Sequence, residues 1–204
     1  MGFYGERILP HLIKLTMRNR DLVPYRERVI SAASGRVLEV GIGSGENLSR
    51  YGARVSEVVG LEPAARLATM ARRAANGSAV PVTIIEAPGE MIPLDGQSID
   101  TVVMTWTLCS IPDPAAALQE IRRVLKPEGH LLFVEHGLAP DERVRKWQHR
   151  LTPVWTRLAG GCHLDREMSS LIANAGFRIE RLETGYMRGP RPLTFMYEGC
   201  ASRD

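Results

Sequence analysis

The stretch that most constrains this chain is Val37-Leu38-Glu39-Val40-Gly41-Ile42-Gly43-Ser44-Gly45-Glu46-Asn47-Leu48. Val37, Leu38 and Val40 form a short apolar run that reads as a buried strand. Three glycines at alternate positions follow, and then a helical pattern begins. Strand, glycine turn and helix together present backbone N–H groups to a ligand at a helix N-terminus.

The identity of the ligand turns on charge. A dinucleotide fingerprint requires G-x-G-x-x-G. Counted from Gly41, the third glycine position is Glu46. A carboxylate there would repel a pyrophosphate at close range. Glu39 adds a second acid inside the strand end. Acid-x-Gly-x-Gly-x-Gly suits a ligand that is cationic and lacks phosphate, and S-adenosylmethionine carries both a sulfonium and an ammonium. Glu62 lies 21 positions after Gly41, at the end of the next apolar run, Glu57 to Pro63. An acid at that distance is placed to accept ribose hydroxyls.

On these residues the chain resembles the class I S-adenosylmethionine-dependent methyltransferases. The resemblance implies that Glu39 holds the methionine ammonium, directly or through water, and that Gly41 and Gly43 let the backbone approach the cofactor. Gly45, Asn47, Glu62, Pro63 and Thr105 complete the expected contacts around the methionine and ribose. Aligned on Ile92-Pro93-Leu94, the family's adenine loop falls on Pro88-Gly89-Glu90, so Gly89 and Glu90 are the expected adenine contacts. Pro88 stands where the family commonly has Asp, and either Glu86 or Glu90 replaces it.

The rest of the chain extends the pattern. Val80–Ile85, Ile99–Trp106 and Leu131–Glu135 read as further strands, separated by helices over Ala64–Asn76 and Asp113–Leu125. Asn47–Tyr51 reads as the first core helix, Lys126-Pro127-Glu128-Gly129 as a tight turn, and Asp165 as the cap of a helix ending at Ala175. Phe177–Glu183 and Thr194–Gly199 read as a terminal hairpin. The expected fold is α/β: a Rossmann-like, mostly parallel seven-stranded sheet with a C-terminal antiparallel hairpin and helices on both faces. Residues 1–204 form one domain, with 1–34 as an N-terminal helical cap. Residues 141–164 form a helical insertion after the fifth strand that covers the acceptor site.

Candidate catalytic residues lie at the carboxyl end of the fifth strand and beyond: Glu135, His136 and His163. A thiol acceptor needs little help from a base at neutral pH, whereas a phenol needs more. Leu108-Cys109-Ser110, Phe133-Val134-Glu135-His136, Trp147-Gln148, Pro153-Val154-Trp155, Gly161-Cys162 and Ala175-Gly176-Phe177 together resemble a subgroup. It contains the animal methyltransferase-like thiol methyltransferases and their bacterial relatives. The resemblance implies methyl transfer to a small apolar acceptor, with a thiol as first choice. The alternatives are phosphatidylethanolamine N-methylation at a membrane surface, a non-catalytic cofactor-binding module, and a dehydrogenase.

Composition narrows partners and place. A net charge of +3 is too weak to argue for nucleic acid. Cys109, Cys162 and Cys200 are too few and scattered in sequence for a disulfide framework or a zinc site, so no metal is expected and the reducing cytoplasm is the expected compartment. Two amphipathic segments carry basic residues, 2–20 and Asp141–Leu158, and suit peripheral contact with an anionic membrane. In the second, Val144, Trp147, Leu151, Val154 and Leu158 fall on one stripe. Nothing in the sequence fixes the oligomeric state.

Overall fold

The computed structural model describes residues 7–203. Its centre is a seven-stranded sheet in the order β3-β2-β1-β4-β5-β7-β6. The strands are β1 (Gly35–Val40), β2 (Val55–Leu61), β3 (Val82–Ile85), β4 (Ile99–Thr105), β5 (Leu125–His136), β6 (Phe177–Tyr186) and β7 (Phe195–Arg203). The first five pair in parallel, and β7 runs antiparallel to both β5 and β6. The expected mostly parallel sheet and terminal hairpin are both present.

Alternation along the strands builds two cores. Leu38 and Val40 of β1, Val102 and Met104 of β4, and Leu131 and Phe133 of β5 point to one face. There they meet α4 (Pro114–Val124) through Leu118 and Ile121, and α6 (Met168–Asn174) through Met168 and Ile172. Their neighbours Val37, Val103, Leu132 and Val134 point to the other face. They meet α2 (Val23–Ala32) through Val29 and Ile30, and α3 (Ala65–Ala75) through Ala71. A strand alternates faces with period two, so a nearly continuous apolar strand requires helices on both sides. The remaining helices are α1 (Leu9–Met17) and α5 (Glu142–Leu158).

The order reverses between β1 and β4, and the crevice at their carboxyl ends is where open α/β sheets bind ligands. Three local expectations are corrected here, and a fourth is only partly covered. No core helix follows the glycine loop: only one 3-10 turn, Leu48–Arg50, separates it from the run to β2. Gly45 and Gly52 bracket this stretch, and Tyr51 is already extended, so there is no length for a full helix. The turn at Lys126–Gly129 is absorbed into β5 as an irregularity, with Ile99 opposite Leu125 and Thr101 opposite His130. Glu167, not Asp165, caps α6, accepting the Ser170 amide at 2.7 Å; Asp165 instead pairs with His149. Finally, α1 begins at Leu9, and the segment proposed to start it at residue 2 extends outside the described residues.

Candidate active site

The glycine loop leaves β1 at the switch point. Gly41 and Gly43 both have positive φ, 70° and 58°, which L-residues with a Cβ rarely adopt. They differ in surroundings. A Cβ on Gly41 would lie 2.3 Å from the Thr107 side chain, so this glycine makes room for the segment after β4. A Cβ on Gly43 would meet nothing nearer than a backbone oxygen at 4.0 Å. Gly43 thus faces open space between the two expected acids, a cradle that suits a ligand. Gly45 is buried within the loop, its amide donating to Ile42 O at 3.0 Å.

The two acids are already bonded. Glu62 Oε2 accepts the Gly43 amide and Oε1 the Ala64 amide, each at 3.0 Å. Burial pushes Glu62 upward from its ordinary range, opposed by these two amides. Each carboxylate oxygen keeps a lone pair for a ribose hydroxyl. Pro63 beside it is exposed. Glu39 is 1% exposed. Its Oε1 accepts from Asn47 Nδ2 and its Oε2 from the Tyr51 hydroxyl, both at 2.8 Å. Burial raises Glu39 to about 7, and the two hydrogen bonds and Arg26 hold it from going further.

Arg26 is the residue that sequence reasoning missed. Its Nη1 donates to Asn47 Oδ1 at 2.7 Å and to Thr105 Oγ1 at 3.3 Å, and its Nη2 to Met17 O at 3.3 Å. Its guanidinium lies 4.8 Å from the Trp106 ring centroid. Burial lowers its affinity for a proton, and Glu39 opposes that. The fold thus joins Glu39, Asn47 and Thr105 into one network, with Arg26 and Tyr51 as unforeseen members. The spacing of Leu22, Arg26, Val29 and Ile30 placed Arg26 on the buried face of its helical segment, and that signal was available.

The adenine expectation lands on a packed loop. Gly89 is buried, and a Cβ there would press on Val40 and Ile111. Glu90 Oε1 accepts the Asp113 amide at 3.2 Å, and Glu86 pairs with Arg72 at 2.7 Å.

Glu135, His136 and His163 converge on the segment after β4. Trp106 there has a φ of 55°, one of two such non-glycine residues among those described, and such strain concentrates at functional turns. Glu135 Oε1 accepts the amides of Thr107 at 2.7 Å and Leu108 at 2.9 Å, and Oε2 that of Cys109 at 3.4 Å. Burial raises it well above the ordinary carboxylate range, with Cys109 adding to the rise. His163 donates its amide to Cys109 O at 2.8 Å, and its Nδ1 lies 3.3 Å from the same oxygen. His136 Nε2 lies 2.9 Å from Cys162 Sγ.

The cysteines are less scattered in space than in sequence. Cys109 and Cys162, far apart in sequence, meet in space with His136, and their donor atoms all lie within 4.8 Å of one another. The hydrogen bond from Cys162 holds the Cys109 thiol well below its ordinary range, against burial and with help from His136. The same bond holds Cys162 high. Burial pulls the His136 imidazole down, but Cys109 more than offsets it and leaves it raised.

Comparison with known proteins identifies the family. Residues 38–133 match the methyltransferase domain family model. The chain is 35% identical over 194 residues to human thiol S-methyltransferase TMT1B, covering 91% of this chain and 76% of that one. Human thiol S-methyltransferase TMT1A is 33% identical, covering 83% and 71%. Among solved structures, a possible histamine N-methyltransferase from Thermotoga maritima superposes over the full length of both chains with a TM-score of 0.71 at 20% identity, a likeness of fold. The matched domain model and these relatives place the chain in the methyltransferase domain family, as an S-adenosylmethionine-dependent methyltransferase.

Proposed function

We propose that this enzyme methylates the sulfur of a small apolar thiol. The observation that carries the reading is the 35% identity, across 91% of the chain, to a thiol S-methyltransferase. The site chemistry supports it. Around Cys109, the residues leaving β4, Trp106, Thr107, Leu108 and Ser110, have no charged side chain, which suits an apolar acceptor.

The bound cofactor supplies an electrophilic methyl on a sulfonium. Glu39 offers its carboxylate to the methionine ammonium, with Asn47, Thr105 and Arg26 fixing it. Glu62 offers lone pairs to the ribose, and the open face of Gly43 admits the ligand against the backbone. Glu135 acts as an anchor: by accepting three consecutive amides it sets the path of Thr107–Cys109, beside Gly41 of the glycine loop. His163, whose Nδ1 lies 3.3 Å from Cys109 O, is the candidate to take the acceptor's proton. Catalysis here is positioning and exclusion of water from the nucleophile.

A second reading concerns where the enzyme works. Helix α5 docks through Val144, Gln148 and Thr152, with Gln148 bonding Gly137 O, Ala139 N and Pro192 O. The stripe of Trp147, Leu151, Val154 and Leu158 therefore faces outward, with Trp147 50% and Val154 57% exposed. On α1, Leu12 and Leu15 are also exposed, at 44% and 71%. Leu9 and Ile13 of α1 lie against Gly160 at the end of α5, so the two surfaces adjoin. With Lys14, Arg143, Lys146, Arg150 and Arg157 nearby in sequence, they suit an anionic membrane that concentrates apolar acceptors.

The test of the acceptor is S-adenosylhomocysteine release with matched panels of alkyl thiols, phenols and amines. Turnover of thiols above the other classes is expected. Turnover of phenols or amines with no thiol accepted would overturn the reading.

A further inference from the structure

We propose that Cys109, His136 and Cys162 form a Zn2+ site whose fourth position takes the acceptor as a thiolate. The three donors come from separate elements: the loop after β4, the end of β5, and the loop after α5. Their convergence within 4.8 Å is therefore a product of tertiary structure. Cys109 and Cys162 are both buried and are free thiols. Two cysteines and one histidine are a donor set that zinc uses in catalytic sites, where the open position holds water or substrate. Tetrahedral zinc would place sulfur and nitrogen about 3.5 Å apart, given bonds of about 2.3 and 2.0 Å. The observed separation of His136 Nε2 and Cys162 Sγ is 2.9 Å, so a small side-chain rotation opens the set to that geometry.

The surroundings resemble the outer shell of a metal site. Trp155 Nε1 donates to Cys162 Sγ at 3.2 Å. Glu135 fixes the Cys109 backbone through its amide. The Arg166 guanidinium bonds Leu108 O at 2.6 Å and Ile111 O at 2.8 Å, flanking Cys109. Such partners orient ligands and tune the metal. Two cysteine thiolates neutralise Zn2+, and a third from the acceptor leaves one negative charge beside Arg166.

The role in the reaction rests on the thiol reading above. The acceptor R–SH binds zinc through sulfur and releases its proton to His163, since a coordinating thiol is deprotonated. A lone pair of that sulfur then attacks the cofactor's methyl carbon. The new C–S bond forms as the sulfonium C–S bond breaks, and that electron pair stays on the cofactor sulfur. The product thioether, a neutral and weaker ligand, leaves zinc, and the position reopens.

The full-length protein, purified without chelator, should carry close to one zinc per chain by elemental analysis. Replacing zinc with Co2+ should give a strong thiolate-to-cobalt charge-transfer absorption. Cys109→Ser and Cys162→Ser should each lose at least about tenfold in zinc retention against a competing chelator, with S-adenosylhomocysteine affinity unchanged as the folding control. Should either fail to fold, His136→Gln keeps both sulfurs and should show the same loss. A turned-over thiol added to the Co2+ form should strengthen the charge-transfer band. Zinc at background level and no cobalt band would overturn the site, as would a Cys109–Cys162 disulfide in the zinc-free protein. A cobalt band unmoved by a thiol that is turned over would overturn the acceptor role. A metal-loaded protein that methylates no thiol would instead overturn the thiol reading, leaving the metal site standing.

Discussion

Nη1 of Arg26 lies 2.7 Å from Oδ1 of Asn47, and through Asn47 the charge of α2 is tied to Glu39 at the end of β1. The proposed cofactor site is thus assembled partly by the N-terminal segment. Arg26→Met removes the guanidinium donors from this junction and takes away the donor to the buried Asn47 Oδ1. We expect a loss of about 2–3 kcal/mol in stability by denaturant unfolding. S-adenosylhomocysteine affinity should fall by at least about tenfold in calorimetry, equal to about 1.4 kcal/mol. Full affinity in this variant would uncouple the N-terminal segment from the cofactor.

The linkage at Glu39 has a definite sign. Its folded value is about 7 against an ordinary 4.5, with burial as the main cause. Below pH 4.5 it is protonated in both states and adds no pH dependence. Between 4.5 and 7 the folded state keeps a proton that the unfolded chain has released, so its contribution to stability falls as pH rises. Above 7 the penalty is constant, on the order of 3 kcal/mol. The stability difference between the natural protein and Glu39→Gln should therefore shrink with pH across that window. A methionine ammonium beside Glu39 would favour its charged form. Cofactor binding near pH 7 should then release protons, giving a binding enthalpy that depends on the buffer's ionisation enthalpy. A buffer-independent enthalpy would place the ammonium elsewhere.

The frame of this site was legible because it depends on local pattern. Apolar runs marked β1, β2 and β4, and the acids at Glu39 and Glu62 sit at strand ends because the chain turns there. What the sequence hid are the partners supplied by distant segments. Tyr51 meets Glu39, Thr107 fills the space beside Gly41, and Cys162 meets Cys109. No spacing rule foretells such meetings, because they follow from how β4, β5 and the loop after α5 pack. The α5 stripe shows the same limit. Its periodicity groups Val144 with Trp147, Leu151, Val154 and Leu158, yet Val144 is buried and the other four are exposed, because Gln148 satisfies three backbone groups and sets which side docks.

The glycines of the loop should respond differently to substitution. Gly43→Val places its side chain in the open cradle. The left-handed φ costs roughly 1–2 kcal/mol, and the protein should still fold while losing detectable cofactor binding. Gly41→Ala sets a Cβ 2.3 Å from Thr107 Cγ2, so it should lower the melting temperature more than Gly43→Ala does. Comparing the two alanine variants by thermal unfolding, and Gly43→Val by calorimetry, separates packing from ligand contact. Unchanged affinity in Gly43→Val would show that the cradle is not the cofactor's.

Anchor and base make opposite demands on Glu135, which is fully buried. As an anchor for three amides, its replacement by Ala should cost about 3–5 kcal/mol, since each orphaned buried donor costs about 1–3. Glu135→Gln keeps one acceptor oxygen and should recover part of that stability and of the activity together. A Gln variant of full stability, with kcat down more than about a hundredfold and a changed pH profile, would instead make Glu135 the proton acceptor.

The outward face of α5 gives a prediction that does not touch the active site. Trp147, Leu151, Val154 and Leu158 are spaced to share one side of the helix, and Arg150 stacks on Trp147 at 5.8 Å. A membrane surface would bury these side chains and attract the neighbouring cations, and each buried methylene adds about 0.8 kcal/mol. Replacing Trp147, Val154 and Leu158 together by Ser should lower sedimentation with phosphatidylserine-containing vesicles by at least about tenfold. Thermal stability and S-adenosylhomocysteine affinity should hold, because the three side chains are at least half exposed. Binding should weaken with added salt, since the basic residues act through screened charge. Equal sedimentation of the natural and triply substituted proteins would remove the membrane from this face and leave α5 as an ordinary exposed helix.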